Sequence, residues 1–115
     1  MRATLYHKPT CSTCQKVLKA LKEKGAEITA IEYLKNPPSP RELGQIVDKL
    51  GGDVMALVRK KEPLFQETYA DKKMSRSDWL KTLYENPELI ERPIVLMDGK
   101  AVVARPPEKL DLLFK

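Results

Sequence analysis

Apolar and polar positions alternate from Arg2 to His7, and the stretch carries β-forming residues, which predicts a short strand. After the loop Lys8-Pro9-Thr10 the period changes. Val17, Leu18 and Leu21 fall on one face of a helix from about Ser12 to Lys24, with Gly25 suited to the position just past its end. Alternation returns from Glu27 to Tyr33 as a second strand, so the chain opens strand–helix–strand, a pattern that implies a parallel pair. Asn36-Pro37-Pro38 ends this unit. Ser39-Pro40-Arg41-Glu42 then reads as a capping box with proline at the first helical position, followed by Leu43, Ile46, Val47 and Leu50 at helical spacing. Gly51-Gly52 stops that helix.

Asp53 is placed to cap a shorter helix running through Val54, Leu57 and Val58 to Arg59. The segment from Lys60 to Lys73 has no clear period beyond a helical turn after Pro63. Ser75 or Ser77 caps a helix bearing Trp79, Leu80, Leu83 and Tyr84, which ends near Asn86-Pro87. Two β-rich runs, Pro93 to Met97 and Lys100 to Ala104, are separated by Asp98-Gly99, which tolerate the positive φ of a tight hairpin turn. Pro106-Pro107 breaks the second run, and Leu110, Leu113 and Phe114 face the core from a final helix. The predicted fold is α/β, a βαβ–ββα sheet with a helical insertion at about 39–90, all in one domain.

At 115 residues, with 42% hydrophobic and 32% charged positions, the chain is the size of one globular domain and needs no disulfide or metal staple. No apolar run spans a membrane and no signal peptide opens the chain, so a cytoplasmic protein is expected. The net charge of +5 favours anionic partners. Lys and Arg are nevertheless scattered from Arg2 to Lys115 without interleaved aromatics, which argues against nucleic acid.

The chemistry centres on Cys11 and Cys14, the two cysteines of the chain. Cys11 ends the loop that leaves the first strand and sits at the start of a helix, where free N–H groups and the helix dipole favour a thiolate. Thiolates so placed have pKa values of roughly 3.5–7.5. Cys14 lies one turn further on, close enough to meet Cys11 as a disulfide, which makes it a candidate resolving cysteine. A bland reading makes both small buried hydrophobes. Zinc fits poorly, because Cys11, Cys14 and the single histidine, His7, leave a four-ligand site one short. His7, four residues before Cys11, is either a strand-end residue or a polarising partner of the thiol.

The motifs His7-Lys8-Pro9-Thr10-Cys11, Tyr33-Leu34-Lys35-Asn36-Pro37-Pro38-Ser39, Ala56-Leu57-Val58-Arg59-Lys60, Glu91-Arg92-Pro93-Ile94-Val95 and Ala104-Arg105-Pro106 resemble the glutaredoxin-dependent arsenate reductase (ArsC) family over nearly the whole chain. That resemblance implies a thioredoxin-like fold and a catalytic nucleophile at Cys11. It implies Arg59, Arg92 and Arg105 as substrate-binding residues around arsenate, and a cis-proline at Pro93. It also implies no bound cofactor, glutathione as co-substrate and glutaredoxin as partner (thioredoxin being possible), with the chain acting as a monomer. Tetrahedral oxyanions do call for several fork-shaped donors.

The chain departs from the family at Cys14, which stands where cysteine is unusual, and at Gln15, where a basic residue is common. Two alternatives therefore stay open. One is a general thiol–disulfide oxidoreductase using Cys11 and Cys14. The other is a redox-sensing regulator of the Spx type, which binds RNA polymerase but lacks an arginine matching Arg105.

Overall fold

The computed structural model describes residues 1–114; Lys115, the last of the basic residues, lies outside them. The described chain falls into two compact units, one built from residues 1–36 and the chain from Arg92 onward, the other from Pro37–Glu91. The first holds a four-stranded sheet in the order β2-β1-β3-β4, where β1 is Arg2–His7, β2 Glu27–Glu32, β3 Ile94–Met97 and β4 Lys100–Val103. β1 and β2 are parallel and are joined by helix α1, Ser12–Glu23, as the opening pattern predicts. β3 runs antiparallel to both β1 and β4. This is the thioredoxin-like arrangement.

The core of this unit follows from the two periodicities. Ala3 and Leu5 of β1, Val95 and Met97 of β3, and Val102 of β4 pack with Val17 and Leu21 of α1. Leu110 and Leu113 complete the cluster from Pro107–Phe114, which winds as a 3₁₀ helix, tighter than the final α-helix expected. Each fully buried Leu or Val stabilises the fold by about 1.5–3 kcal/mol relative to an exposed one. β2, at one edge of the sheet, stays largely open to solvent. Gly25 takes φ +79° just past α1, and the Asp98-Gly99 turn has positive φ at both residues, 52° and 75°.

The second unit starts with helix α2, Pro40–Lys49, entered through the expected capping box: Ser39 Oγ accepts from the Glu42 N–H and Glu42 Oε1 accepts from the Ser39 N–H. Leu43, Ile46 and Val47 are buried on its inner face. Ser75, rather than Ser77, caps helix α3, Arg76–Glu85, which buries Trp79 and Leu83. Tyr84, expected on that face, is 44% exposed, because the buried stripe of this short helix spans only those two positions. Arg76 ties the helices together, donating to the Gly44 carbonyl at 3.0 Å and to Asp48 at 2.7 Å.

Two further details differ from expectation. Asp53 does cap a turn, but it is a single 3₁₀ turn over Val54–Leu57 that ends before Val58. Val58 is extended and pairs with Ile90 in an isolated antiparallel bridge, so the Leu57 and Leu89 carbonyls take N–H groups from the opposite segment. The segment without a clear period contains a wide π-type turn, Phe65–Tyr69, whose Phe65 and Tyr69 rings pack around Trp79. Among the described residues no helix is long and apolar enough to cross a membrane.

Candidate active site

Hairpin register assembles the site. β3 and β4 pair Ile94 with Val103, and the ladder continues outward through the Ala104 N–H, which donates to the Pro93 carbonyl at 2.9 Å. One step further, Arg92 and Arg105 stand opposite each other. The bond is made by a side chain there: Arg105 Nε donates to the Arg92 carbonyl at 2.9 Å. Arg92–Pro93 is cis, as the resemblance implies, and so is Arg105–Pro106, which had no sequence signal. β3 also pairs with β1, matching Ile94 to Tyr6, so the loop leaving β1 emerges at the same end of the sheet as the two arginines.

That loop delivers Cys11. Its N–H donates to the Lys8 carbonyl at 2.9 Å, closing a turn, and its own carbonyl accepts from Gln15 in the first turn of α1. Cys11 is the N-cap residue, extended at φ −81°, ψ 122°, and partly exposed. Arg105 Nη2 lies 3.5 Å from its sulfur. Burial pushes the Cys11 thiol up, but the backbone N–H and thiol of Cys14 and the Arg92 guanidinium outweigh it and bring the pKa down to about 7. The resulting thiolate sits at a helix N-terminus beside two guanidinium groups.

Cys14 has the opposite character. It is fully buried, and both cysteines are free thiols. Burial raises its pKa; a backbone hydrogen bond with Lys8 opposes this, but the adjacent Cys11 sulfur adds to the rise and the value reaches about 11. The pair is thus split into one sulfur readily ionised and one held protonated.

Arg92 is anchored from behind. Its Nη1 donates to Tyr33 Oη at 3.2 Å, and Tyr33 is fully buried just after β2. Burial disfavours the Arg92 cation, but the contacts with Tyr33 and Cys11 outweigh that and raise its pKa further. Sequence reasoning assigned Tyr33 no role, although a buried tyrosine needs a partner for its hydroxyl and so hinted at one.

His7 ends β1 opposite Glu32 and is largely buried, bordering a cleft of about 230 Å³ with Lys8 and Lys35. Among the described residues no hydrogen bond joins it to Cys11. Arg59 belongs to the second unit. Its N–H donates to the Leu89 carbonyl at 2.7 Å, and its guanidinium lies 3.8 Å from Glu62 and 3.9 Å from Glu91. Those separations are long for directed hydrogen bonds, and Arg59 Nε has no hydrogen-bond partner among the described residues.

A reactive thiolate with guanidinium donors beside it suits attack on an oxyanion, and comparison with known proteins agrees. The model of the ArsC family matches residues 6–112. An arsenate reductase of Neisseria meningitidis is 37% identical, the match covering 93% of this chain and 93% of that protein. The uncharacterized protein YfgD of Escherichia coli is 38% identical over 92% of this chain and 91% of its own length. The solved structure of an arsenate reductase from Vibrio cholerae superposes with a TM-score of 0.92 at 36% identity, covering 98% of both chains. From a family match that spans all but the ends and relatives similar along almost their full length, the chain belongs to the ArsC family.

Proposed function

We propose that this protein reduces arsenate to arsenite through the Cys11 thiolate, with glutathione and glutaredoxin as the reductant. The observation that carries the reading is the contact of Arg105 Nη2 with the Cys11 sulfur at 3.5 Å, from a guanidinium already tied to the Arg92 carbonyl. An oxyanion arriving over Cys11 meets two planar donors whose positions are set before it binds, which is how charge developing on oxygen is stabilised most effectively.

In the first step the Cys11 thiolate bonds to arsenic and an arsenate hydroxyl leaves as water, taking its second proton from another arsenate hydroxyl. The arginines compensate the charge on the remaining oxygens. A second thiol then supplies the other half of the electron pair that converts arsenic(V) to arsenic(III), so two thiols end as one disulfide for each arsenite released. Glutathione as that thiol, glutaredoxin as the protein that regenerates Cys11, a monomeric state and a cytoplasmic location come with the family resemblance and belong to this proposal. So does the assignment of Arg59 to oxyanion binding.

The test is arsenate-dependent thiol oxidation with purified protein, comparing glutathione plus glutaredoxin against thioredoxin. The proposal expects arsenite to accumulate with glutathione plus glutaredoxin. Oxidation that proceeds equally without arsenate would instead favour a general thiol–disulfide oxidoreductase.

A further inference from the structure

We propose that Cys14 is an internal resolving nucleophile: once Cys11 carries arsenic, the Cys14 sulfur attacks the Cys11 sulfur and releases arsenite without an external thiol. The inference rests on the reading above, in which Cys11 attacks arsenate, and adds a second route for its adduct.

Geometry carries the argument. Cys11 and Cys14 are three residues apart at the first turn of α1. One helical turn separates backbone positions by about 5 Å, inside the span of roughly 4.4–6.8 Å that a disulfide bridges between Cα atoms. Both cysteines are free thiols, and each sulfur influences the ionisation of the other. Cys14 is also fully buried, so dissolved thiols and oxidants reach it poorly while Cys11 stays partly exposed. An attacking group held this way acts at an effective concentration that no dissolved thiol matches.

The charge state follows the reaction. The negative Cys11 sulfur is one of the influences that keep Cys14 protonated in the resting enzyme. Bonding to arsenic removes that charge, so the attack becomes easier only when there is an adduct to resolve. In the attack a Cys14–Cys11 sulfur–sulfur bond forms and the Cys11–arsenic bond breaks. Its electron pair stays on arsenic, which becomes arsenic(III), and the Cys14 proton passes to an arsenic-bound oxygen. Arsenous acid and a Cys11–Cys14 disulfide result, and an external dithiol of the thioredoxin or glutaredoxin class reduces the disulfide for the next cycle.

The experiment mixes reduced, desalted protein with arsenate and no external thiol, and runs a parallel sample with glutathione and glutaredoxin. Expected in the thiol-free sample are arsenite in proportion to protein, loss of both free thiols, and a peptide containing both cysteines lighter by its two thiol hydrogens. Cys14→Ala and Cys14→Ser should yield no arsenite there, and circular dichroism confirms that each is folded. Should both variants fail to fold, the peptide mass and thiol count of the wild-type protein still decide. Arsenite appearing only after glutathione is added, with Cys14 still free to alkylation in denaturant, would overturn the Cys14 role while keeping Cys11 as nucleophile. Arsenite released equally by a folded Cys14 variant would also overturn it. No arsenite in either sample would instead remove the underlying reading.

Discussion

Arg105 Nε donates to the backbone carbonyl of Arg92 at 2.9 Å, so one guanidinium of the site is positioned by the residue that carries the other. The bond exists because the β3–β4 ladder, turned at Asp98-Gly99, brings residues 92 and 105 opposite each other just beyond its last strand pair. A lysine at 105 cannot make this bond and also contact the Cys11 sulfur, since it has one point-like ammonium in place of a fork.

Arg92→Lys and Arg105→Lys should each lower kcat/KM for arsenate by about ten- to a hundredfold, because charge-assisted hydrogen bonds are worth roughly 1.5–3 kcal/mol. The double substitution should lose less than the product of the single losses, since the two residues are coupled. Steady-state kinetics on the three variants measures both effects. Wild-type kinetics in both single variants would leave the oxyanion site without support.

Alkylation of Cys11 by iodoacetamide should rise with pH around a midpoint of about 7, well below the ordinary thiol value near 9. The sign follows from the reactive form: a lowered pKa means that the thiolate persists to lower pH. Arg92→Ala removes one of the groups that favour the thiolate, so its midpoint should move upward. Cys14, held at about 11 and fully buried, should stay unlabelled across the same range in the native protein.

Tyr33→Phe should leave the fold intact and lower kcat/KM several-fold, because Arg92 loses the partner that orients its Nη1 at 3.2 Å. A purely structural role for the hydroxyl would instead shift thermal stability without changing kinetics, so both are measured.

Ser39→Ala should destabilise the protein by about 1 kcal/mol, because it strips α2 of the oxygen that accepts the Glu42 N–H. Denaturant unfolding reads this directly. Cys11 thiol reactivity, measured alongside, should be unchanged.

The parts of the structure visible in the sequence are those with a local physical cause. Ser39 and Glu42 satisfy each other's N–H groups across three residues, and Asp98-Gly99 supplies the positive φ that a tight hairpin needs, so both elements appear where their residues say. Cys11 was equally legible, since a cysteine between a strand-ending loop and a helix has its electrostatics determined by neighbours in the chain. The cis Arg92–Pro93 bond came from family resemblance and not from local chemistry.

What could not be read depends on partners distant in sequence. Val58 continues the apolar spacing of the preceding turn, and only its pairing with Ile90 makes it extended. The Phe65–Tyr69 turn is shaped by Trp79, which no local period announces. Tyr33 looks like one more strand residue until Arg92, from the far end of the chain, reaches its hydroxyl.

The central claim is that the Cys11 sulfur attacks arsenic, and the most direct measurement is arsenate reduction by Cys11→Ser with glutathione and glutaredoxin present. Serine keeps the shape of the site, but its hydroxyl does not ionise at neutral pH and cannot serve as the nucleophile. Arsenite formation should fall to the rate without enzyme while circular dichroism remains that of the wild type. Retention of about a tenth or more of wild-type activity would contradict a mechanism that runs through this sulfur.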